Sequence, residues 1–235
     1  MRRVLAPVAR RISDANLLAR SVIRRDNDLT MPPVVGAPTE PLVVIAPHSD
    51  DESIGCGGVL ALADRASVLL LTGDESRRAE AQEALEVLGV TDLECLEFRD
   101  GRLGEEAELS KRLEESIAAR APGTLLIPYP LDRHRDHVAA ARAVASAPPD
   151  CELWCYEVWT PLDPNRLVDI TDVAEAKRAA IERHRSQLER HAYADAALGL
   201  NAYRALLAPP ARFAEAYLRV TADQLRQLLG ISGDR

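Results

Sequence analysis

A short apolar run that leads into a crowded polar turn and then a glycine-rich stretch does most to constrain this chain. Leu42-Val-Val-Ile45 is an unbroken, largely β-branched segment of the kind buried in a sheet. His48-Ser-Asp-Asp-Glu52 follows, and then Gly55-Cys-Gly-Gly58. In open α/β folds such a strand-to-helix turn lies at the carboxyl ends of the strands, where ligands bind. Four ionisable groups crowded there need a partner. A divalent metal together with a catalytic carboxylate would use all of them.

The rest of the chain supports that setting. Strand-like runs are expected at about 42–47, 67–72, 93–98, 124–129 and 151–158, with helices at about 55–66, 76–88, 106–120 and 135–146. A longer helix from 171 to about 190, another near 195–207 and a closing segment at about 212–220 complete the pattern. This alternation predicts an α/β fold, a single Rossmann-like layered domain over 42–235 with a mostly parallel sheet flanked by helices. Residues 1–41 read as a basic leader and a Pro-rich linker. The first 25 residues carry seven arginines against one acid, Asp14, with apolar residues at helical spacing.

A second motif completes the chemistry. Leu125-Leu-Ile-Pro-Tyr-Pro130 is another buried-strand run, and it precedes His134-Arg-Asp-His137 and an alanine-rich helix former. Histidines three apart share one face of a helix or turn. His48, Asp51 and His137 thus form a two-histidine, one-carboxylate set suited to a metal with open positions, zinc or iron(II) among them. Asp50 and His134 are left beside it for proton transfer and oxyanion stabilisation. Glu52 could support a ligand or cap the helix, and Asp136 could stand behind a ligand or face solvent. A dinucleotide reading of the glycines fails on charge, because Asp50, Asp51 and Glu52 would repel a pyrophosphate.

The paired motifs resemble those of the PIG-L / LmbE-like family of zinc-dependent N-acetylglucosaminyl deacetylases, whose signatures are His-Pro-Asp-Asp-Glu and His-Pro-Asp-His. Ser49 and Arg135 stand where the family has prolines. Arg77-x-x-Glu80, Phe98-Arg-Asp100-Gly-Arg-Leu103 and His184-Arg-Ser-Gln187 are similar to further family segments. The resemblance implies a hydrolase that removes an N-acetyl group from an amino-sugar conjugate, with Arg77 and Asp100 holding sugar hydroxyls. Asp50 would be the general base, and His134, as an imidazolium held by Asp136 or Asp132, would stabilise the oxyanion. The alternatives are a metal-dependent hydratase of an organic acid and a non-catalytic sugar-binding module. Similar proteins form trimers or hexamers, so a homo-oligomer is compatible with the resemblance.

Composition narrows the partners. A net charge of −8 argues against nucleic acid. No run of 18 apolar residues suggests a membrane span, and the start lacks the apolar core of a secretory signal, so a cytoplasmic protein is expected. The four cysteines lack zinc-finger spacing and suit a reducing compartment.

Overall fold

The structure, a computed structural model, describes residues 34–188 and 191–231. The basic leader, read as an amphipathic helix, lies outside the described residues. The strands are β1 (Val34–Val35), β2 (Leu42–Ala46), β3 (Ala66–Thr72), β4 (Asp92–Phe98), β5 (Thr124–Pro128), β6 (Glu152–Tyr156), β7 (Arg166–Asp169) and β8 (Ala214–Val220). The helices are α1 (Asp51–Leu62), α2 (Glu75–Val87), α3 (Leu109–Arg120), α4 (Arg135–Ser146), α5 (Ala174–Ile181), α6 (Arg185–Leu188), α7 (Tyr193–Ala205) and α8 (Ala222–Leu228).

The strands form one sheet in the order β1-β7-β8-β6-β5-β2-β3-β4. Pairing is parallel except where β8 meets β6 and β7. The expected mostly parallel α/β sheet is therefore present. Val34–Val35, within the segment read as linker, pairs with β7 at the sheet edge.

Both faces of the sheet are covered, which is why β2 and β5 are buried throughout and carry apolar runs rather than an alternating pattern. Val43 and Ile45 pack with residues of α3, α4 and α8, while Leu42, Val44 and Ala46 pack with α1, α2 and α5. The chain leaves β2 toward β3 and β4 on one side, whereas β5 and β6 lie on the other. The β2–β5 boundary is thus the topological switch point, and a crevice opens beyond the strand ends there.

Two local expectations need correction. The helix after β2 begins at Asp51 rather than near residue 55. Asp51 and Glu52 occupy its first turn, where the positive end of the helix dipole favours carboxylates. The long helix expected over 171–190 is broken into α5 and α6. His184 sits at the break, buried, and its Nε2 lies 3.1 Å from Glu52 Oε1. Glu80 accepts from Ser186 N (3.0 Å) and Ser186 Oγ (2.7 Å), satisfying a backbone amide that a continuous helix would have used. Tertiary partners outweigh helix propensity here.

The glycines of α1 serve close packing. A Cβ on Gly55 would meet the Tyr156 ring at 2.3 Å, and one on Gly58 would meet Ile170 Cγ2 at 2.4 Å. Beneath α1, the fully buried Lys177 Nζ donates to Glu215 Oε1 at 2.6 Å. Glu215 also accepts from Gly58 N, Val59 N and Tyr217 OH. This buried network fixes the helix that carries Asp51. Lys177→Met should leave Glu215 buried without its cation and lower stability by about 3–5 kcal/mol. Urea unfolding checks this, and a loss below about 1 kcal/mol would show that the pair does not anchor α1.

Candidate metal centre

The loop after β2 is tied down on both sides. Thr72 of β3 donates through N (3.1 Å) and Oγ1 (2.8 Å) to Pro47 O, and Tyr156 OH donates to Ile45 O at 2.7 Å. The loop is therefore held without the family's proline at Ser49, a residue that is itself buried. The first residue of α1 then turns its carboxylate back on the loop, where Asp51 Oδ2 accepts from His48 N at 2.9 Å.

That same oxygen is the focus of the site. Asp51 Oδ2 lies 3.1 Å from His48 Nδ1 and 3.1 Å from His137 Nε2. Two motifs far apart in sequence meet because β2 and β5 are neighbours. His137 is wholly buried, yet neither ring nitrogen makes a hydrogen bond, despite the short distance from Nε2 to Asp51. His137 Nε2 and Asp51 Oδ2, close together but not aligned with one another, suit convergence on a common third point. Donors about 2.0–2.1 Å from a tetrahedral zinc stand roughly 3.3 Å apart, and the two 3.1 Å separations at Asp51 Oδ2 are of that size. Possible ligand atoms of His48, His134 and His137 lie within 4.8 Å of one another, and so do those of His48, Asp100 and Asp136.

Carboxylates stand behind the histidines. Asp136 Oδ2 is 3.3 Å from His48 Nε2, and Asp132 Oδ2 is 3.6 Å from His137 Nδ1. Such partners orient metal-bound imidazoles and raise their basicity. Here the structure corrects the expectation for His134, because neither carboxylate holds its ring. Asp132 Oδ1 accepts from the His134 backbone N–H (2.9 Å), and the ring Nδ1 accepts from Asp136 N (3.3 Å), capping α4. Burial and then the neighbouring His48 and His137 push the His134 pKa down. His134 is therefore placed as a neutral imidazole whose Nε2–H can donate, rather than as an imidazolium.

Charge is unevenly distributed among the other groups. Burial opposes charging His48, yet hydrogen bonds to Asp100, Asp136 and Asp51 carry its pKa up to about 12. Burial likewise opposes charging His137, but Asp51 and Asp132 raise it to about 9. Asp51 is held well below the usual carboxylate range, His137 and His48 outweighing its burial. Its neighbour moves the other way. Asp50 is pushed up to about 7, first by burial and then by the charge of Asp51, with Glu52 adding to the effect. Two adjacent aspartates in such different states can divide ligand and proton-transfer duties.

Arg77 and Asp100 reach the same place. Arg77 Nη1 donates to Asp100 Oδ2 at 2.9 Å, and Asp100 Oδ1 lies 3.4 Å from His48 Nε2. Asp136 fixes this loop by accepting from Gly101 N (2.7 Å) and Leu103 N (3.2 Å). Gly101 has φ +74°, where a side chain would be strained. Glu52 faces away, toward Ser53 Oγ at 2.8 Å and His184. By sequence, His184 reads as exposed or merely packing, and only its His-x-Ser-Gln context signals more.

Comparison with known proteins agrees with this geometry. Residues 43–148 match the PIG-L family, described as GlcNAc-PI de-N-acetylase. The diacetylchitobiose deacetylase of Thermococcus kodakarensis is 28% identical, over 62% of this chain and 69% of its own. A conserved protein from Thermus thermophilus superposes with a TM-score of 0.69 at 29% identity, covering 78% of this chain and 96% of that one. The fold is also that of N,N′-diacetylchitobiose deacetylase from Pyrococcus horikoshii, with a TM-score of 0.67 at 24% identity over 89% of this chain and 92% of that one. Both histidine motifs lie within the matched segment, so the part of the chain that carries them is similar to the PIG-L family of de-N-acetylases.

Proposed function

We propose that the protein is a zinc-dependent hydrolase that removes an acetyl group from the nitrogen of an amino sugar. The observation that carries this reading is the convergence of His48, Asp51 and His137 beside an Asp50 carboxylate that makes no capping hydrogen bond. A divalent ion held by His48, Asp51 and His137 would supply Lewis acidity toward the amide carbonyl and toward water. Asp50 takes the proton of the attacking water and returns it to the departing amine. His134 donates its Nε2–H to the oxygen that becomes negative. Asp132 and Asp136 keep the two ligand rings in place. Arg77 and Asp100, already joined at 2.9 Å, present donors and acceptors to sugar hydroxyls at the rim.

The carboxylates around the centre, Asp50, Asp51, Asp100, Asp132 and Asp136, disfavour a dicarboxylic acid and so oppose the hydratase reading. Acetate release from a panel of N-acetylated amino sugars, with metal-loaded protein, tests the proposal. No release across the panel would sink it. Arg77→Ala should raise KM by about 10-fold while leaving the metal bound, since a charge-assisted bond to a hydroxyl is worth roughly 1.5 kcal/mol or more. Unchanged KM would remove Arg77 from the sugar site.

A further inference from the structure

Next to the metal centre lies a second concavity of different chemistry. Its volume is about 570 Å³, and its walls include Ile54 and Gly55 of α1, Val158, Trp159 and Pro161 after β6, and one face of α7. Two of these walls are continuous with the centre. Ile54 follows Asp50 and Asp51 within the first turn of α1. The backbone N–H of Trp159 donates to Asp132 Oδ2 (3.2 Å), on the carboxylate that stands behind His137.

The lining says what would bind. Trp159 is 47% exposed, with its ring edge-on to His191 and Tyr193 at centroid distances of 6.4 and 5.9 Å. An exposed tryptophan backed by aromatic rings provides a large, rigid apolar contact. The cleft's carboxylate, Glu157, is already satisfied by Arg204 Nε (3.1 Å), Arg204 Nη2 (2.6 Å) and Leu162 N (2.9 Å). The cavity thus has no free anionic group to seek a cation. Asn201 also lines it and is 5% exposed. Its Nδ2 donates to Ala214 O at 3.1 Å, and its Oδ1 is buried away from the cleft surface, so it presents no polar demand to a ligand.

We infer that this cleft binds an uncharged apolar chain or ring carried by the same substrate whose amide meets the metal centre. The inference rests on the deacetylase reading and deepens it. Its chemistry has two sources: a long acyl group on the amide nitrogen, or an apolar aglycone on the sugar.

The test compares kcat/KM of the metal-loaded full chain for N-acetylglucosamine, its octyl β-glycoside and N-octanoylglucosamine. Each buried methylene is worth about fourfold, so an octyl chain that enters even in part should raise kcat/KM by at least about 10-fold. A gain for the octyl glycoside identifies the aglycone as the source, and a gain for the octanoyl amide identifies the acyl group. The gain should collapse toward unity in Trp159→Ala and in Ala196→Asp, which puts a charge on the exposed side of α7. Equal kcat/KM for all three compounds would overturn the cleft while leaving deacetylation standing. If none of the three is turned over, the deacetylase reading fails. Calorimetric binding of the octyl glycoside then decides the cleft: binding lost in both variants supports it, and binding unchanged in both overturns it.

Discussion

His137→Ala should cost the protein its metal, lowering affinity by at least about 100-fold. Outer partners of a metal-bound histidine are typically worth 10–100-fold each, and a direct ligand is worth no less. His137 is wholly buried, with both ring nitrogens lacking an aligned hydrogen bond, Nε2 3.1 Å from Asp51 Oδ2 and Nδ1 3.6 Å from Asp132 Oδ2. Metal content after dialysis against a competing chelator measures the loss, and circular dichroism shows whether the fold persists. His191→Ala provides the contrast. His191 packs against Trp159 and Tyr193, away from the donor set, and its loss should leave the metal in place. Full metal retention without His137 would dismantle the ligand assignment.

Asp50→Asn should behave in the opposite way, retaining the metal while turnover falls by about 10²–10⁴-fold. Asp50 precedes α1 directly, and its side chain makes no capping hydrogen bond, so an amide of the same shape removes little structure. What it removes is the capacity to take a proton. Burial and the adjacent Asp51 already raise the Asp50 pKa to about 7, as suits a group that must exchange a proton near neutrality. Asp51→Asn should instead lose metal as well as activity, because its Oδ2 lies 3.1 Å from both His48 Nδ1 and His137 Nε2. Near-normal deacetylation by Asp50→Asn would end the proposed division of labour between the paired aspartates.

Much of the site is legible in the sequence because its signals are local. His48 and Asp51 are three residues apart at a helix start, and His134 and His137 are three apart at another, so each pair converges through backbone geometry alone. The apolar runs at 42–45 and 125–127 declare strands buried on both faces. Boundaries are less legible. An expected start of α1 near 55 overlooks how well Asp51 and Glu52 suit a first helical turn. The break between α5 and α6 has no local signal, since the carboxylates that stabilise it come from Glu52 and Glu80, on α1 and α2.

The sequence by itself determined the fold class and brought the candidate donors into two short motifs, because periodicity, turn residues and donor spacing act over a few residues of covalent chain. Only the tertiary structure decided which carboxylate stands behind which histidine. Asp136 faces His48 across 88 residues of sequence, and Asp132 stands behind His137 rather than gripping the His134 ring. It also placed Trp159, His191 and Tyr193 around one cleft beside the candidate metal centre. Those relations depend on β5 lying next to β2 in the sheet and on α7 packing near α1, contacts between segments whose spacing in the sequence carries no record of their spacing in the fold.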